Sequence, residues 1–302
     1  MIFKDILEMK KNLLHPEFER LLNLALQNQS FPTDLLLIVI NGFFKPLENP
    51  NMPKTIPYVI GPGDIGHSES THYSFIHAYR DNSIVQLTHS EYLNEVKWRP
   101  DRREIIDEYI QIEEFSIQIE MLIYLKFWEA DLIIKNLYQF VTILNGNPYE
   151  WHFKISESNR DKEGHGTRQE IIRKDIRDKV KDISPILYQT IKDSYKTQIR
   201  NSIAHSNYSF QNRNIHPNNF IENDVASQLK YLSFDDWIDM FHNTLLLHNE
   251  YIWLKNSINN HYANLAKAGQ DLTLRITEPS KHQFELPIKY REEWDDWRWN
   301  IK

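Results

Sequence analysis

At 302 residues the chain is long enough for one large domain or two ordinary ones, with a sizeable buried core. Its 41% apolar and 13% aromatic content excludes a disordered chain, and only 8 glycines favour helices over a turn-rich β architecture. A net charge of −7 excludes a general DNA-coating protein, and the lack of cysteine excludes disulfides, thiolate chemistry and cysteine-based zinc sites.

From the N-terminus, Ile6, Leu13, Leu14, Phe18, Leu21, Leu22 and Ala25 form a helical stripe with a break expected at Pro16. The first residues, Met1 to Asp5, lack a basic-then-apolar leader, and the longest apolar run, Leu35 to Ile40, is far shorter than the ~20 residues that span a bilayer. The expectation is a soluble, cytoplasmic protein with no membrane partner. Proline density from Pro46 to Pro62 predicts extended, loop-rich chain. Within it Gly61-Pro62-Gly63-Asp64-Ile65-Gly66 matches the G-x-G-x-x-G dinucleotide fingerprint. That fingerprint needs a helix directly behind the glycines within a βαβ unit, and residues 67–71 show no helical stripe, so a tight surface loop is expected. His67, His72, His77 and His89 lack the i, i+4 spacing of a helical zinc site and read as scattered surface or core histidines; no metal or cofactor is expected.

A long helical region is predicted from Arg99-Pro100-Asp101 to Leu144, with a break near residues 115–119 and a stop at Asn145-Gly146-Asn147-Pro148. Charge is uneven: residues 104–131 hold eight acids against one base, Lys126, whereas residues 160–200 hold eleven Lys or Arg against seven acids. A polyanion would meet the second region. A basic amphipathic helix is expected from Thr167 to about Asp182, and Ser184-Pro185 starts the next. Tyr208–Phe210 and Leu229–Leu232 read as short extended pieces. Ser233-Phe234-Asp235-Asp236 begins a helix running to about Tyr262, and Leu272–Ile276 reads as one strand. In the tail, Trp294, Trp297 and Trp299 stand amid alternating charges, either docking the terminus onto the body or making a partner contact.

The chain is organised around Tyr195 to Tyr208. Ile191, Tyr195, Ile199 and Ile203 recur every fourth residue, one buried stripe of an amphipathic helix. Asn201 and His205 are neighbours one turn apart, and Arg200 lies about 140° around from His205. The sequence Arg200-Asn201-Ser202-Ile203-Ala204-His205 resembles the motif of the HEPN family: arginine, a polar residue, then histidine after four to six intervening positions. Many HEPN proteins are metal-independent ribonucleases serving as toxins or antiviral effectors, and their fold is a helical bundle that pairs two motifs in one cleft. The resemblance covers roughly residues 118–264.

The resemblance, together with the helical stripes and scarce glycine, predicts a mainly helical, all-α protein: a helical and loop-rich region of unknown role over 1–117, a HEPN-like bundle over 118–264, and a Trp-rich tail over 265–302. It implies an endoribonuclease acting on RNA as a homodimer, with a toxin or antiphage role and an antitoxin or defence-system partner. The alternative is a catalytically inactive module that binds a nucleotide or a protein. In HEPN toxins silenced by a partner nucleotidyltransferase, a tyrosine stands two residues after the histidine. Asn207 holds that place here and the tyrosine is Tyr208, so the resemblance does not carry that silencing over.

Metal-free cleavage uses the RNA 2′-hydroxyl as nucleophile, so the protein must hold the phosphate, neutralise developing charge and move protons. Arg200 suits the charge, as a planar, always ionised fork for phosphate oxygens. His205 suits proton transfer, because imidazole changes charge near neutral pH. Asn201 suits orienting that ring or binding the phosphate. Asp193, two turns before Arg200, is a candidate to orient it, Lys196 to guide phosphate, and Tyr208, one turn past His205, to support the site. Each also has a plain role: arginine and histidine cap helix ends, acids and lysines are solvated on helix faces, and tyrosines pack.

Overall fold

The computed structural model describes residues 1–47, 56–158, 160–161 and 163–300. The chain opens with β1 (Ile2–Phe3) and α1 (Lys4–Asn28), then α2 (Leu36–Val39), β2 (Phe43–Phe44) and β3 (Tyr58–Val59). Next come α3 (Gly63–Asn82), β4 (Ile84–Val85), α4 (His89–Glu95), α5 (Arg103–Trp128) and α6 (Asp131–Leu144). A helical stretch follows from α7 (Arg168–Glu170) through a π-helical segment (Ile171–Arg177) to α8 (Asp178–Val180). Then come α9 (Pro185–Ser194), α10 (Thr197–Ala204), β5 (Tyr208–Gln211), β6 (Asn214–Pro217), β7 (Leu232–Ser233) and α11 (Phe234–Lys267). The last elements are β8 (Leu272–Thr277), β9 (Gln283–Arg291) and β10 (Asp296–Trp299).

The all-α expectation is overturned. Among the described residues helix accounts for 59% and strand for 13%, in four small sheets, so the protein is mixed α/β. Two sheets are antiparallel with three strands, ordered β5-β6-β7 and β10-β9-β8; β2-β3 is an antiparallel pair and β1-β4 a parallel one. Most of these strands are too short for a period-two signal, and β9, the central strand of its sheet, carries Pro287, which normally argues against such a position. Part of the proline-rich Pro46–Pro62 stretch lies outside the described residues. Among the described residues no helix is long and apolar enough to cross a membrane.

The chain divides into two units. The first comprises Met1–Pro16, Ser70–Ala130 and Pro185–Asn249. Its core gathers Tyr124, Phe127, Trp237 and Phe241 with Ile199 of α10, each almost wholly buried. A side chain of that size contributes on the order of 2–3 kcal/mol when removed from water. Glu120, 1% exposed, is satisfied inside this core by the Trp237 indole N–H (2.7 Å) and the Tyr79 hydroxyl (2.8 Å). The second unit comprises Glu17–Glu69, Asp131–Ser184 and Glu250–Lys302, with Leu36, Leu37, Ile133, Phe140, Trp151 and Leu274 in its core. There Lys135 is buried, donating to Asn41 Oδ1 (2.9 Å) and the Gly42 carbonyl (2.7 Å), and burial pushes its amine down to about 7. Trp297 is buried against Asn259, Trp299 stacks on Trp151, and Trp294 faces solvent.

Several element expectations change. α1 runs unbroken through Pro16. The predicted break at residues 115–119 falls instead at Glu129-Ala130, between α5 and α6. In place of the expected tight loop, α3 begins within the glycine fingerprint, at Gly63, although among its described residues Ile76 alone is fully buried, which explains the missing stripe. The strand before that loop pairs antiparallel with β2, so this is not a βαβ unit. Gly63 adopts φ +56°, and a Cβ on Gly66 would stand 2.7 Å from that of Pro62; close turning accounts for both glycines.

His242 supplies a prediction. Its ring is fully buried in the first unit, with Nδ1 donating to the Ile238 carbonyl (2.7 Å) and Nε2 accepting from the Phe3 N–H (2.9 Å). Burial pushes its pKa down to about 4, so between an ordinary imidazole's ~6.5 and 4 the unfolded chain holds the extra proton. Stability is therefore lost as pH falls through that window, by about 3 kcal/mol from this residue. Denaturation midpoints at pH 7 and 4.5 should show a smaller acid loss in His242→Gln than in wild type; equal losses would refute the assignment.

Candidate functional site

The expected continuous motif helix is two helices. At Lys196 the backbone turns extended (φ −124°, ψ 116°), and its N–H is taken by the hydroxyl of buried Tyr124 on α5 at 3.2 Å. α10 then presents Gln198, Ile199, Ser202 and Ile203 inward. Gln198 exchanges two bonds with the Leu229 backbone, Nε2 to its carbonyl at 2.9 Å and the Leu229 N–H to Oε1 at 2.8 Å. Trp128 packs 5.1 Å from Tyr195 and donates to Thr244 Oγ1, so an aromatic wall backs the site.

Arg200 emerges from this frame half-buried, and its fork is already engaged. Nε bonds Glu129 Oε1, Nη2 bonds Glu129 Oε2 at 2.5 Å, and Nη1 donates to Asn201 Oδ1 at 2.8 Å. Donation to Glu129 is the main cause of a guanidinium pKa raised above its ordinary value. Glu129 caps the C-terminus of α5 and is 28% exposed, so the pair sits at the solvent boundary. Arginine has five donors, and these contacts use three, leaving one N–H on each Nη.

His205 caps the end of α10, its N–H bonding the Asn201 carbonyl at 3.1 Å. Ser206 takes a left-handed φ of 51°, the Asn207 N–H returns to the Ser202 carbonyl at 2.7 Å, and the chain leaves into β5. The His205 side chain is exposed. The other expected residues do not join the group. Asp193 accepts from Gln189 Nε2 (2.7 Å) rather than orienting Arg200. Lys196 stands exposed at the α10 N-cap. Tyr208 lies in β5 with its ring 5.6 Å from Phe210, and burial raises its hydroxyl pKa.

Sequence reasoning missed Glu129, 71 residues from Arg200. The one available signal was its place in the acidic 104–131 run, directly after Phe127-Trp128. Two concavities lie in the second unit, and neither is lined by Arg200. One of about 610 Å³ is lined by Tyr138, Glu150, His152, Asp175 and Lys179; there His165 holds the Glu150 carboxyl below its usual range and Glu150 lifts the imidazole. The other, about 280 Å³, adjoins the glycine loop, and its cations Lys255 and Arg298 are bonded to Glu69 and Asp296. Among the described residues no group of three His, Asp or Glu is placed to hold a metal ion. Comparison with protein-family models, curated proteins and solved structures finds no match to this chain.

Proposed function

We propose that the chain is a metal-independent endoribonuclease of HEPN type, a toxin or antiphage defence effector acting in the cytoplasm, with its cleavage site at the end of α10. The observation that carries this reading is one solvent-facing helix end bearing Arg200, Asn201 and His205, with the Glu129 carboxylate held against the guanidinium. Glu129 answers a need that one histidine leaves open. A phosphate entering the Arg200 fork displaces the carboxylate, which then accepts the 2′-hydroxyl proton. The 2′-oxygen bonds to phosphorus, the bond to the 5′-oxygen breaks, and His205 donates a proton to that leaving oxygen. The products are a 2′,3′-cyclic phosphate and a 5′-hydroxyl. Arg200 neutralises the charge growing on the phosphoryl oxygens, a contribution of roughly 10²–10³ in rate.

The occupied fork favours a second reading, in which Arg200–Glu129 is a clamp and the segment a silent module binding a nucleotide or a protein. Digestion of total RNA in EDTA separates the two. Wild type should leave cyclic-phosphate ends, and an Arg200→Ala, His205→Ala double variant should leave RNA intact. Undigested RNA in both samples, with nucleotide binding retained, would overturn the nuclease reading and support the silent module.

A further inference from the structure

The outer face of α5 is apolar and uncovered. Its inner face, from Ile106 through Ile117, Met121, Tyr124 and Phe127, is buried. Opposite stand Ile105, Ile112, Phe115 and Leu122, between 46% and 66% exposed, with Ile119 half-buried among them. These residues, with Glu108 and Lys126, fall at alternating spacings of three and four over residues 105–126, the seam of a two-helix coiled coil. Such a continuous apolar stripe on a surface helix marks an interaction face.

We propose that α5 pairs antiparallel with α5 of a second copy, about a twofold axis at Ile117. The register follows from positions whose numbers sum to 234. Phe115 then faces the partner's Ile119, Ile112 faces the partner's Leu122, and Glu108 meets the partner's Lys126. Every layer sets a residue of one seam row against the other row, as antiparallel packing requires. Charge chooses this arrangement. Glu108 is exposed, and Lys126 lies 5.3 Å over the Phe75 ring; among the described residues neither has an oppositely charged partner. A parallel pair would set Glu108 on Glu108 and Lys126 on Lys126, and stack the acidic N-terminal halves of α5 on each other. At the axis the flanking residues are Ser116 and Gln118, which carry no charge. A seam of this length is small beside a standard interface of about 800 Å² per partner, so weak, concentration-dependent association is expected.

This pairing stands on α5 alone and does not rest on the nuclease reading. It also parts from the composite cleft that the motif resemblance implies. Glu129 ends up level with the partner's Ile105, so the two Arg200 sites lie about 36 Å apart along the helix axis, each complete in its own chain.

Sedimentation velocity over a concentration series tests it. Wild type should show a monomer–dimer equilibrium, and Phe115→Glu, a solvent-facing change, should be monomeric with unchanged circular dichroism. Glu108→Lys and Lys126→Glu should each weaken association about tenfold, and the double exchange should restore it. Because the chain lacks cysteine, Gln118→Cys should oxidise to a covalent dimer while Glu108→Cys should not. Wild-type monomer at every concentration, failure of the double exchange to restore pairing, or cross-linking by Glu108→Cys would each overturn the proposal.

Discussion

Arg213→Ala is expected to destabilise the first unit by about 3–5 kcal/mol, read as a lower denaturant midpoint at unchanged slope. Arg213 and Asn212 form the two-residue turn between β5 and β6, both left-handed, at φ 54° and 52°. From this turn the Arg213 guanidinium reaches α5 and takes both oxygens of Glu113, at 2.8 and 2.7 Å, with a further bond to Asp235 at 3.0 Å. Glu113 is 1% exposed, so deleting Arg213 leaves a buried carboxylate without its guanidinium partner. Two controls separate the charge from the turn. Arg213→Gly relaxes the left-handed backbone but still strands Glu113, and should remain strongly destabilised. Adding Glu113→Gln to Arg213→Ala removes the stranded charge and should recover a large share. A loss under about 1 kcal/mol in Arg213→Ala would show that Glu113 finds water or another partner.

What the sequence disclosed, and what it hid, follows from how far each determinant lies along the chain. The start of α9 at Pro185, the capped entry to α11 (the Asp236 N–H on Ser233 Oγ at 3.0 Å) and the alternation of β8 are written in neighbouring residues, and all were legible. The break at Tyr195-Lys196 was not. The Ile191-Tyr195-Ile199-Ile203 period runs straight across it, because both helices bury the same face, and the interruption is set by the Tyr124 hydroxyl 72 residues away. α3 hid for the opposite reason: its polar faces give no period to detect. In the candidate site, Arg200, Asn201 and His205 came from local spacing, whereas Glu129 is joined to them only by folding.

Glu129 therefore carries the most discriminating prediction. Glu129→Gln keeps the shape and one acceptor for the Arg200 fork but removes the charge and the capacity to take a proton. If Glu129 accepts the 2′-hydroxyl proton, RNA cleavage should fall roughly 10²–10⁴-fold. RNA affinity should rise at the same time, because the phosphate no longer competes with a carboxylate for Arg200. His205→Ala should lose cleavage to a similar degree with affinity near wild type. Arg200→Lys keeps the charge without the forked geometry and should retain part of the activity, whereas Arg200→Ala retains almost none. The pH–rate profile assigns the roles independently of these magnitudes. A bell should lose its acid limb in Glu129→Gln and its alkaline limb in His205→Ala, since each limb reports one proton carrier. If Glu129→Gln cuts RNA at the wild-type rate with the bell intact, Glu129 is a structural clamp and the second proton carrier lies elsewhere.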